Sequence, residues 1–352
     1  MPRRILFLSF ATLLALLLTL AGCGGDGDTN ATGDSSGGDS NERRFLSVGT
    51  APPGGTFFVV GGALAETLDQ SGGASWRVTA EATKGTQENI RRLDRGELDL
   101  ALANAAISYF AVRGEAAWEK PFEIRSLMTL APNVALFVTP ADSGVQTIAD
   151  LAGRRVVIGP AGAGFEHFVN PILAAHDLTQ DDLTPLSATQ SGAVDLLTDG
   201  AADAAFLGGG VPTPSITQLS ASREVRFLPF APEIRQRLVT DYPFFAPATI
   251  AAGTYRGQTE AFEGLNVGSM HLIAAADLDE ETAYRIVKTL WENRERVVER
   301  HAAGRAIRPE IVVRDVGTPF HPGAERYFRE IGIWPEPSTG DSESEDPPTG
   351  ES

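Results

Sequence analysis

The chain has 352 residues, a formal net charge of −17 and 42% hydrophobic residues. An acidic balance of this size argues against a nucleic-acid partner, since phosphate binding rests on Lys and Arg. With one cysteine, no internal disulfide can staple the fold, and stability has to come from packing.

Arg3 and Arg4 precede an apolar run over 5–20 that ends in Leu20-Ala21-Gly22-Cys23. A charged start, a short apolar run and small residues mark an export signal, and the run falls short of the about 20 residues of a spanning helix. Leu-Ala-Gly-Cys is similar to a lipobox. Residues 1–22 are therefore expected to be a lipoprotein signal peptide and Cys23 the lipid-bearing start of the mature chain; an ordinary secretory signal or an uncleaved anchor is the alternative. Residues 23–44, dominated at first by Gly, Asp and Ser, bury too little apolar surface to order and read as a linker.

The stretch between this linker and the tail, about 290 residues, exceeds what one hydrophobic core usually holds. A strand is predicted over 45–48, then a turn over 49–55 and an amphipathic helix over 56–70. The next units are a strand over 76–80 with a helix ending near 93, and a strand over 98–103 with a helix after Asn104. An apolar stretch over 127–138 leads to Pro140, after which the pattern restarts: a strand over 155–158, a Gly-rich turn over 159–164 and a helix. Strands over 184–187 and 204–207 follow, the first leading to a helix at Ala193 and the second to Gly208-Gly209-Gly210. After Pro243 come extended segments over 246–251 and 265–275 and helices over 280–300 and 321–331. Residues 335–352, acidic and proline-bearing, read as a solvated tail.

Alternating strands and helices predict an α/β fold. The phrases Gly96 to Asp99 and Gly200 to Asp203 echo one another, each running from a helix-ending Gly through an Asp into a strand. With the restart of the pattern, this favours two similar lobes. Three strand-to-helix turns are candidates for holding an anion, because free N–H groups and the dipole gather there. They are Thr50 to Thr56, Thr83 to Asn89 and Pro160 to Glu166.

Enzyme chemistry has little support. No phosphate-loop motif occurs and Pro160 to Glu166 lacks the full dinucleotide spacing. The five histidines, His167, His176, His271, His301 and His321, show no metal-ligand spacing, and no nucleophile elbow is present. His321 reads as structural at a helix start, and acidic pairs such as Asp181-Asp182 and Glu280-Glu281 read as helix-start acids. No cofactor is expected.

Several phrases, in order, carry a resemblance. They are Val48-Gly49-Thr50 with Gly54-Gly55 and Gly61 to Glu66; Glu81-Ala82-Thr83 with Gly85 and Glu88-Asn89; Gly96 to Leu100; Asp142-Ser143-Gly144; Asp150 to Val156; Gly159 to Glu166; Ala252 to Gln258; and His321 to Tyr327. Together they resemble the TAXI-type solute receptors of TRAP transporters. The resemblance implies an extracytoplasmic, non-catalytic protein of type II periplasmic-binding-protein fold. Its first lobe would take 45–138 and 245–334 and its second 139–244, with a small organic anion clamped between them for a TRAP-type permease. An ABC permease or a membrane sensor is the alternative partner.

The implied ligand-binding positions are Thr50, Gly54, Gly55, Thr56, Phe57, Thr83, Lys84, Gly85, Thr86, Asn104, Gly162, Ala163, Gly164, Phe165 and Gly210. Several depart from the family pattern. Ala51-Pro52 replaces Gly-Gly, Phe57-Phe58 replaces Tyr-Tyr, Asn104 and Ala106 replace Gln and Asp, and Phe165 replaces Thr. Lost hydroxyls and a lost carboxylate, with Lys84 gained, point to a less hydroxylated, more apolar carboxylate held by Thr50, Thr83, Lys84 and Thr86 between Phe57 and Phe165. The competing reading has Lys84 facing solvent and the phenylalanines in the core.

Overall fold

The computed structural model describes residues 44–335 except 74, 75, 117 and 243. The expected signal peptide, Cys23 and nearly all of the linker and tail lie outside the described residues.

The first part of the chain forms β1 (Arg44–Gly49), α1 (Thr56–Ser71), β2 (Trp76–Glu81), α2 (Thr86–Asp94), β3 (Leu100–Asn104), α3 (Ala105–Ala111) and β4 (Ile124–Thr129). It then gives β5 (Val134–Pro140), β6 (Arg155–Gly159), α4 (Glu166–Ala174), β7 (Thr184–Ser187), α5 (Gln190–Thr198), β8 (Ala204–Gly209) and α6 (Pro214–Ser222). Next are β9 (Val225–Phe227), α7 (Pro232–Asp241), β10 (Phe245–Ile250), β11 (Phe262–Val267) and β12 (Met270–Ala275). The described chain ends with α8 (Glu280–Glu292), α9 (Arg294–Arg300), α10 (Pro309–Val312) and α11 (Pro322–Glu330). The helix expected over 280–300 is thus two, parted at Asn293.

Two sheets organise these elements. One has the order β2-β1-β3-β12-β4, the other β10-β11-β5-β8-β6-β7 with β9 also paired to β5. Within each, three parallel strands stand in the order second, first, third, and a fourth, antiparallel strand follows: β12 in the first sheet and β5 in the second. Each fourth strand arrives directly from the other sheet, and this repeated pattern defines two lobes.

The period of two in β3 shows why the first sheet is buried on both faces. Leu100 and Leu102 join one core with Leu46, Val48, Leu64, Leu68 and Leu272. Ala101 and Ala103 face the opposite way, into a core shared with Ile90, Leu93, Ile107 and Ile273. That second core continues through Phe168, Phe206 and Ile158 of the other lobe, so apolar packing runs across the interlobe boundary.

The two echoed phrases occupy equivalent places. Asp99 accepts hydrogen bonds from the Ser47 amide at 2.8 Å and its hydroxyl at 2.9 Å, tying the approach to β3 onto β1. Asp203 accepts the Arg155 amide at 2.9 Å and both arms of its guanidinium at 3.1 and 2.6 Å, tying the approach to β8 onto β6. Hydrogen bonding from Arg155 holds the Asp203 carboxyl below its ordinary range.

The sheets exchange chain at 130–133 and at 268–269, not near Phe137 to Pro140 and Phe244 to Ala248. Strands β5, β10 and β11 all belong to the second sheet, so the lobe limits expected at 138/139 and 244/245 move to these two short crossovers. Pro140 still pairs with Val225 at the end of β5, and Phe245 to Ile250 pair with β11. The crossovers bind each other: Leu130 N donates to Met270 O at 2.7 Å, Met270 N to Ala131 O at 2.8 Å and Val267 N to Asn133 O at 2.9 Å. Gly268 makes this possible. Its φ is +104°, and a Cβ there would lie 2.6 Å from the Ala106 amide nitrogen.

Candidate functional site

The turns after β1, β2 and β6 and the start of α5 converge on a cleft between the lobes. Its wall is made by Ala51, Pro52, Gly55, Phe57, Lys84, Gly85, Thr86, Asn104, Ile107 and Asn133 on one side and along the hinge. Pro160, Ala163, Phe165, Phe168, Gln190 and Gly208 form the other side. The space is about 50 Å³, well under the roughly 150 Å³ that admits benzene in an apolar cavity. The lobes are in contact around it.

Two rims make this contact. At one, Ser215 N donates to Gly54 O at 3.1 Å, Ser191 Oγ to Pro53 O at 3.2 Å and Thr56 Oγ1 to Gly210 O at 2.7 Å. At the other, Gln87 Nε2 donates to Glu166 Oε1 at 2.9 Å and lies 3.1 Å from His167 Nε2. The His167 ring stacks on Phe110 with centroids 5.6 Å apart, and burial pushes its imidazole below the ordinary pKa. Sequence reasoning missed this second rim: nothing in a lone Gln, Phe or His marks a contact between segments 57 to 80 residues apart.

The lining is mostly apolar, and its charge has one sign. Lys84 is its only ionisable side chain. Lys84 is exposed, and its ammonium has no carboxylate partner among the described residues; Glu88 instead accepts the Lys84 backbone amide at 3.2 Å. Helices α1, α2 and α4 begin at the cleft with no side chain capping their first turns; at α4 the amides of His167 and Phe168 are taken by Gly164 O and Phe165 O, so the starts of α1 and α2 are the ones suited to a bound anion.

Of the fifteen implied positions, the structure brings Gly55, Phe57, Lys84, Gly85, Thr86, Asn104, Ala163 and Phe165 into the lining. Thr86 accepts the Asn104 amide at 3.0 Å, leaving its own hydroxyl hydrogen for another acceptor. Thr50 and Thr83 are committed elsewhere. The Thr50 hydroxyl donates to Glu81 O at 2.8 Å; that of Thr83 donates to Thr50 O and accepts Gly85 N, both at 3.2 Å. Gly54, Thr56 and Gly210 build the first rim. Gly164 packs on Gln87 and Ile107, and Gly162 has open space around it.

Asn104 reaches the lining with its amide already occupied. Oδ1 accepts Ala106 N at 2.9 Å and Ile107 N at 3.4 Å, capping α3, while Nδ2 donates to the carbonyls of Val267 and Gly268 at 3.2 and 3.0 Å. It braces the hinge. Gln190 is similarly engaged, donating to Gly208 O at 2.7 Å and accepting Ser215 Oγ at 2.8 Å. The other histidines serve the fold: His321 caps α11, and His271 is enclosed 2.8 Å from Ser108 Oγ.

Two lobes of the same strand order, two crossovers and a cleft at the strand-to-helix turns define the two-lobed type II periplasmic-binding-protein fold. The chain belongs to the NMT1-like family, whose model matches residues 48–332. A protein from Bordetella bronchiseptica RB50 shares the fold at 14% identity, with 82% of this chain and 89% of that one covered and a TM-score of 0.50. The chain is also similar to the periplasmic aliphatic sulphonate binding protein from Escherichia coli, at 17% identity, 84% of each chain and a TM-score of 0.47. A binding protein component of an ABC phosphonate transporter from Pseudomonas aeruginosa aligns at 10% identity over 74% of this chain and 79% of that one, with a TM-score of 0.49. Among the described residues, no helix is long and apolar enough to cross a membrane.

Proposed function

We propose that the protein is an extracytoplasmic solute receptor that captures a small organic anion and delivers it to a membrane permease. The observation that carries this reading is the lining of the cleft: one cation without a carboxylate partner, no carboxylate, and the starts of α1 and α2 without side-chain caps, within a mostly apolar wall. Such a wall favours a negative head with an apolar body. The protein is a carrier on this account.

The anchor follows from Leu20 to Cys23: lipid on Cys23 and the segment behind it keep the receptor near its permease at a raised effective concentration. Two permease classes compete. The ABC class is the one named for the Pseudomonas protein, and the TRAP class is the one implied by the TAXI-like phrases. Reconstitution with each permease in vesicles separates them, because uptake that depends on this receptor appears with only the right one.

The binding claim is tested by calorimetric titration with mono- and dicarboxylates and their uncharged amides. Carboxylates should bind and their fully amidated analogues should not. Lys84→Ala should weaken the anions by several-fold, more at low than at high salt, with folding stability within about 0.5 kcal/mol of wild type because the side chain is exposed and unpaired. Equal binding of neutral amides, or an unaltered Lys84→Ala, would count against it.

A further inference from the structure

Asn133 sits in the first crossover, between the lobes, and lines the cleft. Its backbone is fully engaged: the amide donates to Asn266 Oδ1 at 3.1 Å and the carbonyl accepts Val267 N at 2.9 Å. The residue is 7% exposed, and its side-chain amide, which reaches the cleft, has no hydrogen-bond partner among the described residues. The neighbouring amides in the cleft differ, since Asn104 and Gln190 spend both ends of theirs on the protein. A primary amide offers two donors and two acceptor lone pairs, and here they open onto the cleft, where a bound solute can match them.

We infer that Asn133 is a specificity-determining residue and that the solute carries, beside its anionic group, an uncharged polar group such as an amide, carbonyl or hydroxyl. The inference rests on the anion-receptor reading and adds the second functional group. Lys84 and the helix starts account for one negative charge at the mouth. Asn133 can both donate and accept, which suits a neutral amide. It brings no charge, so a second carboxylate at that depth would be desolvated without a cation to meet it. The chemistry selects a monoanion with a neutral polar end over a dicarboxylate of the same length.

Position on the crossover adds a coupling. The backbone of Asn133 pairs with the other crossover, and a ligand bonded to its side chain ties both lobes to the hinge. Loss of that bond should weaken ligand-driven closure as well as affinity.

The test uses the full chain and two matched series: butanoate, succinamate and succinate, with hexanoate, adipamate and adipate alongside. Wild type should prefer the amide-bearing monoanion of a series over both companions by about tenfold, the scale of one well-made hydrogen bond in a closed site. Asn133→Leu keeps the volume and removes the polar atoms. It should erase the preference for the amide while the simple monocarboxylate binds as before, and the unliganded variant should melt near the wild-type temperature, because the amide faces the cleft and bonds no protein group among the described residues. Asn133→Ser, a smaller polar replacement, should restore part of the preference.

A structural role predicts otherwise: Asn133→Leu would lower the melting temperature and weaken every ligand alike, and that outcome overturns the inference. Equal wild-type affinity across a series, with an unchanged Asn133→Leu, overturns it while leaving the anion receptor standing. No carboxylate bound by wild type overturns both.

Discussion

Closure of the cleft can be tested with a wedge at Gly54. A Cβ at this position would lie 2.1 Å from Ser191 Oγ and 2.7 Å from Ser191 N on the opposite lobe. The hydroxyl can rotate away but the backbone nitrogen cannot, so Gly54→Ala should force the rim apart. The closed form then loses Ser215 N to Gly54 O and Ser191 Oγ to Pro53 O. At about 0.5–1.5 kcal/mol net for each bond, closure weakens by about 1–3 kcal/mol and affinity falls by roughly 5- to 150-fold. The φ of +92° adds backbone strain of about 1 kcal/mol. That strain acts in the open and closed forms alike, so it lowers stability without changing affinity.

Gly162→Ala separates the two effects. This glycine also has a positive φ, +76°, but open space surrounds it. It should lose stability by a similar amount and bind as wild type. Calorimetry with a bound carboxylate and X-ray scattering with and without it provide the readouts: wild type should compact on binding and Gly54→Ala should compact less. A Gly54→Ala variant with wild-type affinity would refute the reasoning, because the lobes would then close without this rim.

Three further outcomes are expected. Asn104→Ala should cost about 2–4 kcal/mol of stability in urea denaturation, combining a lost helix cap with two unmatched buried carbonyls at the hinge; a wild-type midpoint with altered affinity would instead make Asn104 a ligand contact. His271 is fully enclosed and its pKa is lowered by burial to about 3, below the ordinary 6.5, so the unfolded chain binds the proton first. Its stabilising contribution is complete above pH 6.5 and falls by about 2 kcal/mol between pH 7 and pH 5, a slope that His271→Asn should flatten in urea titrations at the two pH values. Cys23→Ser should move the exported protein from the membrane fraction to the soluble one and abolish incorporation of labelled fatty acid; retention on the membrane would point to an uncleaved anchor.

Much of the fold was legible because hydrophobic alternation and Gly-rich turns are local signals. Leu100 to Ala103 reads as a two-sided buried strand, and Gly96 to Asp99 and Gly200 to Asp203 mark the same place in each lobe. The crossovers were not legible. The crossovers expected near Phe137 to Pro140 and Phe244 to Ala248 fall at strands of the second sheet, whereas the switch at Gly268 depends on the approach of Asn104 and Ala106 from another strand and helix. The candidate site divides the same way. Lys84 and Thr86 belong to a recognisable turn and do line the cleft, but the hydroxyls of Thr50 and Thr83 are taken by backbone atoms that only the folded sheet brings near. Asn133 carries no motif, and its open amide becomes visible when the bonds around it are counted.

The solute bound in the native cell tests the central claim most directly. The protein, purified from its native cells and denatured, should release about one equivalent per chain of a small molecule that mass spectrometry identifies as an organic anion. Release of a cationic or uncharged solute, from a cleft whose only ionisable side chain is Lys84, would contradict the account.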